Sequence, residues 1–332
     1  MTHLVAAAVA FVLSLILPVL LKPILLRLGV LDIPNERSSH TEAVVRGMGI
    51  TVAAGVAGGL LAAMLLGSGQ GVPVLAALGG AALAAALLGW VEDFRGLGIL
   101  ARFLLQLGIG AAATAMLVRL ADSTWWWVPL GAIAIAGYIN VANFMDGVNG
   151  ISGLHGLAAG GLFAVAGGMT GLAWLVSAGV VVAAAFAAFL PWNFSGRNFL
   201  GDVGSYLLGG SLAVTGVAAF LHGVHPEMLL GPVAVYLADT MTTLLRRISA
   251  GERWYTPHRQ HVYQRLTDAG LSHLQSALVV TVCSVLTGIC GLIAAEGTLP
   301  VKAAALAAGV AVLVFYLRSP RIFRRLQERS TA

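Results

Sequence analysis

The chain has 332 residues, of which 58% are hydrophobic and 10% charged, against roughly a quarter charged in an ordinary soluble domain. That composition excludes a soluble fold, and a mean hydropathy of +0.90 with long apolar runs from end to end leaves a helical membrane protein with many spans rather than a barrel. The net charge of +5 requires no nucleic-acid partner, because membrane sidedness accounts for where the cations lie.

The first apolar run, Leu4 to Leu21, has no Lys or Arg before it and Lys22 and Arg27 after it. It reads as a first span that starts outside, not as a cleaved signal. Ten more runs follow, which puts the eleven predicted helices near residues 12, 57, 82, 110, 133, 161, 182, 212, 237, 284 and 308. Short connections near 68–73, 119–125, 170–173, 222–228 and 296–300 alternate with longer polar ones at 22–46, 92–102, 143–152, 192–205 and 246–273 and with a tail from Arg318. Of the 19 Lys and Arg, all but Arg119 and Lys302 fall in the long set or its flanks. By the positive-inside rule the long set is cytoplasmic, the amino terminus outside and the carboxyl terminus inside. The expectation is an all-α polytopic protein, residues 1–332 forming one membrane domain whose chemistry is carried by cytoplasmic loops. Cys283 and Cys290 are seven residues apart in one run, about 10 Å on a helix and too far for a disulfide.

Ionisable groups are expensive at membrane depth, and here they gather at one face. Glu92-Asp93, with Arg95, Arg102 and Gln106 beyond, is a pair of carboxylates that could share a metal or provide a base, or could be a solvated loop. Asn140-Val-Ala-Asn143-Phe-Met-Asp146-Gly-Val-Asn149-Gly150 places polar groups three apart on one helix face before a glycine turn. Such oxygen ligands suit a hard cation such as Mg²⁺, although a polar helix end with a glycine cap has the same pattern. Asn198-Phe-Leu-Gly201-Asp202-Val-Gly204-Ser205 is a second acidic glycine turn, able to hold a cation or to serve as a helix cap. Asp239 is the one acid expected well inside a span, where an ion pair or a substrate contact suits it better than lipid does. The connection 246–273 interleaves Arg246, Arg247, Arg253, Arg259 and Arg265 with His258, His261 and three aromatics. That composition suits phosphate and stacking, and no third ligand supports zinc.

Taken in order, these segments resemble the polyprenyl-phosphate N-acetylhexosamine-1-phosphate transferase family, glycosyltransferase family 4. The resemblance runs over nearly the whole chain: Asp32-Ile-Pro-Asn-Glu-Arg37-Ser-Ser-His40 and Arg46-Gly47, Glu92-Asp93, Asn140 to Gly150, Gly201 to Ser205, and Pro257-His258-Arg-Gln-His261-Val-Tyr-Gln-Arg265-Leu. It implies transfer of a sugar 1-phosphate from a UDP-N-acetylhexosamine to a polyprenyl phosphate, undecaprenyl phosphate in bacteria, with release of UMP at the cytoplasmic face of the inner membrane. It also implies Mg²⁺, with Mn²⁺ as a substitute, on Asn143 and Asp202. Asp93 then deprotonates or orients the lipid phosphate, beside Glu92 and Asp146, and His258, Arg259 and His261 hold the sugar-phosphate end. Asn140 and Asn149 are binding positions, Arg37, His40, Arg46 and Arg102 contact the lipid phosphate or support the fold, and a homodimer is left open. The chain departs from the family in having Glu92-Asp93 where Asp-Asp is common. Its histidine loop also lacks the adjacent histidines of the muropeptide enzyme, which favours the branch that starts O-antigen and other surface glycans. The competing class is a transporter or lipid flippase, which calls for polar groups at mid-depth and helices broken in paired halves.

Overall fold

Peptide groups in hydrocarbon must pair within their own segment, so apolar runs of membrane length fold as helices. The computed structural model describes residues 1–32, 44–69, 71–252 and 259–330. Its helices are α1 (Thr2–Arg27), α2 (Gly49–Leu66), α3 (Gly71–Arg95), α4 (Ile99–Leu120), α5 (Trp127–Met145), α6 (Ile151–Thr170), α7 (Ala173–Phe194), α8 (Gly201–Leu221), α9 (Pro226–Leu230), α10 (Ala234–Ser249), α11 (Val262–Asp268), α12 (His273–Glu296) and α13 (Leu299–Ser330). Eleven stretches are long and apolar enough to cross a bilayer, one for each run read from the sequence, and the chain is a multi-pass membrane protein.

The structure differs from the sequence reading in four ways. The ninth span is interrupted: α9 passes through a 3₁₀ turn at Gly231–Val233 before α10 begins, because Pro232 has no N–H to continue an α-helical ladder. The tail from Arg318 is the continuation of α13, whose 32 residues reach about 48 Å at 1.5 Å per residue and so exceed a core of about 30 Å. The long connections are shorter than expected because Glu92, Asp93 and Asn143 lie in the last turns of α3 and α5 rather than beyond them. The fold is also not purely helical, since β1 (Leu31–Asp32) pairs antiparallel with β2 (Val44–Val45).

α8 is the most buried span and α13 the least. Small residues let α8 sit at the centre, since helices in a membrane approach closely only where side chains are small. A side chain at Gly209 would meet the backbone of α5, one at Gly210 would press on Ala85 of α3, and one at Gly204 would crowd Gly49 of α2. The amino end of α8 is also held by the ribbon. Val45 bridges to Asn198, and the Met48 and Gly49 amides donate to the carbonyls of Phe199 and Leu200 at 3.1 and 2.8 Å.

The two ends of the bundle differ in chemistry. At one, the Thr2 hydroxyl donates to the Leu66 carbonyl, the His3 ring meets the Ser177 hydroxyl, and Lys302 pairs with Glu227. The other end gathers the ribbon, the last turns of α3, α5 and α10, the first turns of α4, α6 and α8, and α11.

Candidate active site

The centre of the polar end is the start of α8. The first amides of a helix have no partner within it, and here a carboxylate from α3 supplies one. Asp93, with no exposed side-chain surface, accepts from the Asp202 and Val203 amides at 3.0 Å each. Gly201 makes this approach feasible. Its φ of +73° lies in the left-handed region, and a Cβ there would run into the Asp93 carboxylate and the backbone of Gly47. β2 delivers Arg46 to the same point, where Nε lies 2.6 Å from Asp93 and Nη2 donates to Asp202 at 3.0 Å.

From α5, the Asn143 amide donates to Asp202 at 2.7 Å and to the Ser205 hydroxyl at 3.0 Å. Asp146 ends that helix and accepts from the Ser152 hydroxyl at 2.7 Å. Tyr263 of α11 fixes this turn by donating to the Phe144 carbonyl at 3.1 Å. The following turn is tied to the connection after α7: the Gly150 amide donates to Asn193, whose own amide donates to the Asn198 carbonyl at 3.0 Å. Asn149 is half-buried there, near Gly196.

Two carboxylates, Asp93 and Asp202, thus share the guanidinium of Arg46, and a third, Asp146, lies near enough to interact with all of them. Asp146 is half-buried as a residue, but its carboxyl lies deep among protein atoms, and burial pushes its pKa up to about 7. The Ser152 hydrogen bond opposes that rise, Asp202 and Asp93 add to it, and Arg46 works against it. Excess negative charge with amide and hydroxyl oxygens alongside is a donor set for a hard cation. No three His, Cys, Asp or Glu side chains form a ready-made metal cluster among the described residues.

Other residues singled out in the sequence lie beside this centre. Glu92 turns away from Asp93 and accepts from the Leu97 amide at 2.7 Å and from Arg102 at 2.9 Å, shaping the passage from α3 to α4. The Asn140 amide donates to Gln106 and to the Ala136 carbonyl, which ties α5 to α4. His261 starts α11 and pairs with Asp239, and Arg259 is exposed. Arg37, His40 and His258 lie outside the described residues.

An apolar groove of about 1300 Å³ opens beside the polar centre. It begins among Arg102, Asn143 and His261 and runs between α4, α5, α8 and α10, past Phe144, Leu212 and Leu237, to Trp127 and Phe220 near the other end. Ser152, Asn193 and Tyr316 are not singled out in the sequence, where Tyr263 figures only as one of the aromatics of the connection 246–273. Ser152 and Asn193 lie at the edges of connections already marked, 143–152 and 192–205, whereas nothing distinguishes Tyr316 from other aromatics in apolar helices.

A family model described as glycosyl transferase family 4 matches residues 75–220, the stretch that carries Asp93, Asn143, Asp146 and Asp202. The chain is 26% identical over 325 residues to a probable undecaprenyl-phosphate N-acetylglucosaminyl 1-phosphate transferase of Bacillus subtilis, covering 90% of this chain and 87% of that protein. It is 28% identical to a decaprenyl-phosphate N-acetylglucosaminephosphotransferase of Mycolicibacterium smegmatis, over 77% of this chain and 73% of that one. It is 24% identical to an undecaprenyl-phosphate alpha-N-acetylglucosaminyl 1-phosphate transferase of Yersinia pestis, over 82% and 79%.

Proposed function

We propose that this chain is a member of glycosyl transferase family 4, a reading supported by its similarity to that family over residues 75–220, and that it transfers an N-acetylhexosamine 1-phosphate from a UDP-sugar to a polyprenyl phosphate, releasing UMP. One observation carries this reading: the charged centre of Arg46, Asp93, Asn143, Asp146 and Asp202 adjoins an apolar groove that runs along the bundle. A lipid phosphate needs both, a polar site for its head and a dry channel for its chain. The basic residues gathered at this end support a cytoplasmic placement, where a nucleotide sugar is available.

The reaction is an in-line displacement. An oxygen of the lipid phosphate bonds to the phosphorus that carries the sugar, and the bond from that phosphorus to the UMP oxygen breaks. A phosphate monoester has a second pKa of about 6, so the nucleophile is largely a dianion at neutral pH and needs positioning more than a strong base. Asp93, bound by two amides and Arg46, acts by orienting the start of α8 and with it Asp202. Arg46 limits repulsion between the two carboxylates. Asp202 and Asn143 would hold Mg²⁺, which when bound neutralises pyrophosphate charge and favours departure of UMP. Glu92 keeps Arg102 at the groove mouth, within reach of an anionic head group.

The test is UMP release by the purified protein in lipid nanodiscs, with undecaprenyl phosphate and a panel of UDP-N-acetylhexosamines, with and without Mg²⁺. Release that needs lipid, sugar nucleotide and metal is expected. No release with any donor from folded protein overturns the reading.

A further inference from the structure

Sidedness accounts for basic residues at this end of the bundle, but not for four arginines that converge unpaired from three helices. α10, α11 and α13 meet at Asp239, where the Val262 amide of α11 donates at 3.0 Å and the Tyr316 hydroxyl of α13 at 2.7 Å. Just past α11, a side chain at Gly270 would run into Gln327 of α13. Arg265, half-buried on α11, lies within electrostatic reach of Arg246 on α10 and of Arg321 and Arg324 on α13, all three exposed. Burial and then these guanidiniums lower its pKa below the ordinary arginine value, while Asp239 acts the other way. Among the described residues, the guanidiniums of Arg265, Arg321 and Arg324 make no ion pair or hydrogen bond, and Arg246 donates to the Gln260 carbonyl at 2.7 Å. Asp268, three residues on from Arg265, is exposed and pairs with none of them.

We propose that Arg246, Arg265, Arg321 and Arg324 form a binding site for the head group of an anionic membrane phospholipid, separate from the transfer site. Depth is the first reason. α13 starts at Leu299, so by Arg318 it has risen about 29 Å at 1.5 Å per residue, close to the full hydrocarbon thickness of about 30 Å. Arg321 and Arg324 follow at head-group level, three apart and so on one face of the helix. Charge is the second reason: guanidiniums suit the forked geometry of phosphate oxygens, and a phosphate supplies the counter-charge that the protein leaves out here. Basic pockets between helices at this face of a membrane bind phosphorylated head groups. Apolar surface is the third, since Leu245, Ile248, Ile322 and Leu326 are exposed on the same two helices and offer a bed for acyl chains that a free nucleotide would not use. None of the four arginines lines the apolar groove, which distinguishes this site from the route of a polyprenyl chain. A bound head group would steady α11, and α11 also carries Tyr263, which donates to the Phe144 carbonyl at the polar centre. The inference stands whether or not the transferase reading holds.

The test is a titration of the full-length protein, stripped of lipid in a neutral detergent, with phosphatidylglycerol, followed by native mass spectrometry and by melting temperature. The wild type is expected to retain a first phosphatidylglycerol saturably and to melt higher with it, and to retain phosphatidylcholine far more weakly. Folded wild type that holds the two lipids alike, or neither, overturns the proposal without any variant. Each basic residue near anionic head groups contributes about 1 kcal/mol, so Arg321→Gln combined with Arg324→Gln is expected to weaken binding about 30-fold and to abolish the rise in melting temperature. Arg197→Gln removes an exposed arginine at the same end but outside the cluster and is expected to leave binding unchanged. Equal weakening in both would show attraction to charge in general and overturn the site. Displacement of the bound phospholipid by undecaprenyl phosphate or by UDP-N-acetylglucosamine would assign the arginines to a substrate and also overturn it. Should the double variant not fold, Arg324→Gln alone is expected to weaken binding about 5-fold, and unchanged binding there overturns the proposal.

Discussion

Asp202 and Asp239 are carboxylates at the same end of the bundle, but their surroundings are built in opposite ways. Asp202 shares Arg46 with Asp93, lies near Asp146, and keeps 17% of its side chain exposed. Asp239 has no exposed surface and is surrounded by an amide, two hydroxyls and an imidazole. The first centre brings three carboxylates together beside Arg46, and it can take up a cation. The second has its acceptors filled and can only hold something still. A buried carboxylate therefore reads as a ligand or as a brace according to whether its lone pairs are already occupied.

The largest effect expected from this contrast is at Asp202. Asp202→Asn should lower turnover by about 100-fold or more, the order lost when a charge on the reacting phosphates is removed. Its melting temperature without metal should stay within a few degrees of wild type, as calorimetry would show. The contrast sharpens if Asn143→Ala raises the Mg²⁺ concentration for half activity while Asp239→Asn leaves it unchanged, and it breaks if the two variants shift it alike. Next in size is Gly201→Ala. A left-handed position costs a side chain about 1–3 kcal/mol, and the added methyl would also push on Asp93. Melting temperature and turnover should fall together.

A pH effect follows from Asp146. Its folded pKa, about 7 against an ordinary 3.8, means that the folded state holds the proton more tightly than the unfolded chain does. Without metal, Asp146 costs no stability below pH about 4. The cost grows as pH rises and levels off above about 7. Asp146→Asn should flatten that part of the melting curve against pH, and Mg²⁺ should raise the wild-type melting temperature more at pH 8 than at pH 5.5. Smallest of all is Lys302→Ala at the opposite end. It breaks the ion pair with Glu227, in which Lys302 is 35% exposed, and should cost at most about 1 kcal/mol, with turnover unchanged.

The spans and the segments that form the site were legible in the sequence because each rests on a local signal. A run of about twenty apolar residues is a span wherever it occurs, since bilayer thickness sets the length. Polar residues three apart before a glycine mark a helix end whatever packs on it. The assignment of Asn143 and Asp202 to one place came from the resemblance, and the two side chains do meet. Glu92 could not be read this way. Its neighbour Asp93 points to α8, while Glu92 itself turns to Leu97 and Arg102, because adjacent residues on a helix lie about 100° apart.

By itself the sequence determined the number of spans, the concentration of charge at one end and the short segments that carry polar groups. These depend on hydropathy, length and spacing, all properties of neighbours along the chain. Tertiary structure alone decided that Asp93 caps a helix 109 residues away, that Arg46 reaches Asp202 across 156, and that Tyr316 completes Asp239 across 77. Such pairings depend on which helix ends pack together. In a membrane that follows from close contacts between small residues such as Gly204 against Gly49, and from hydrogen bonds no lipid can replace.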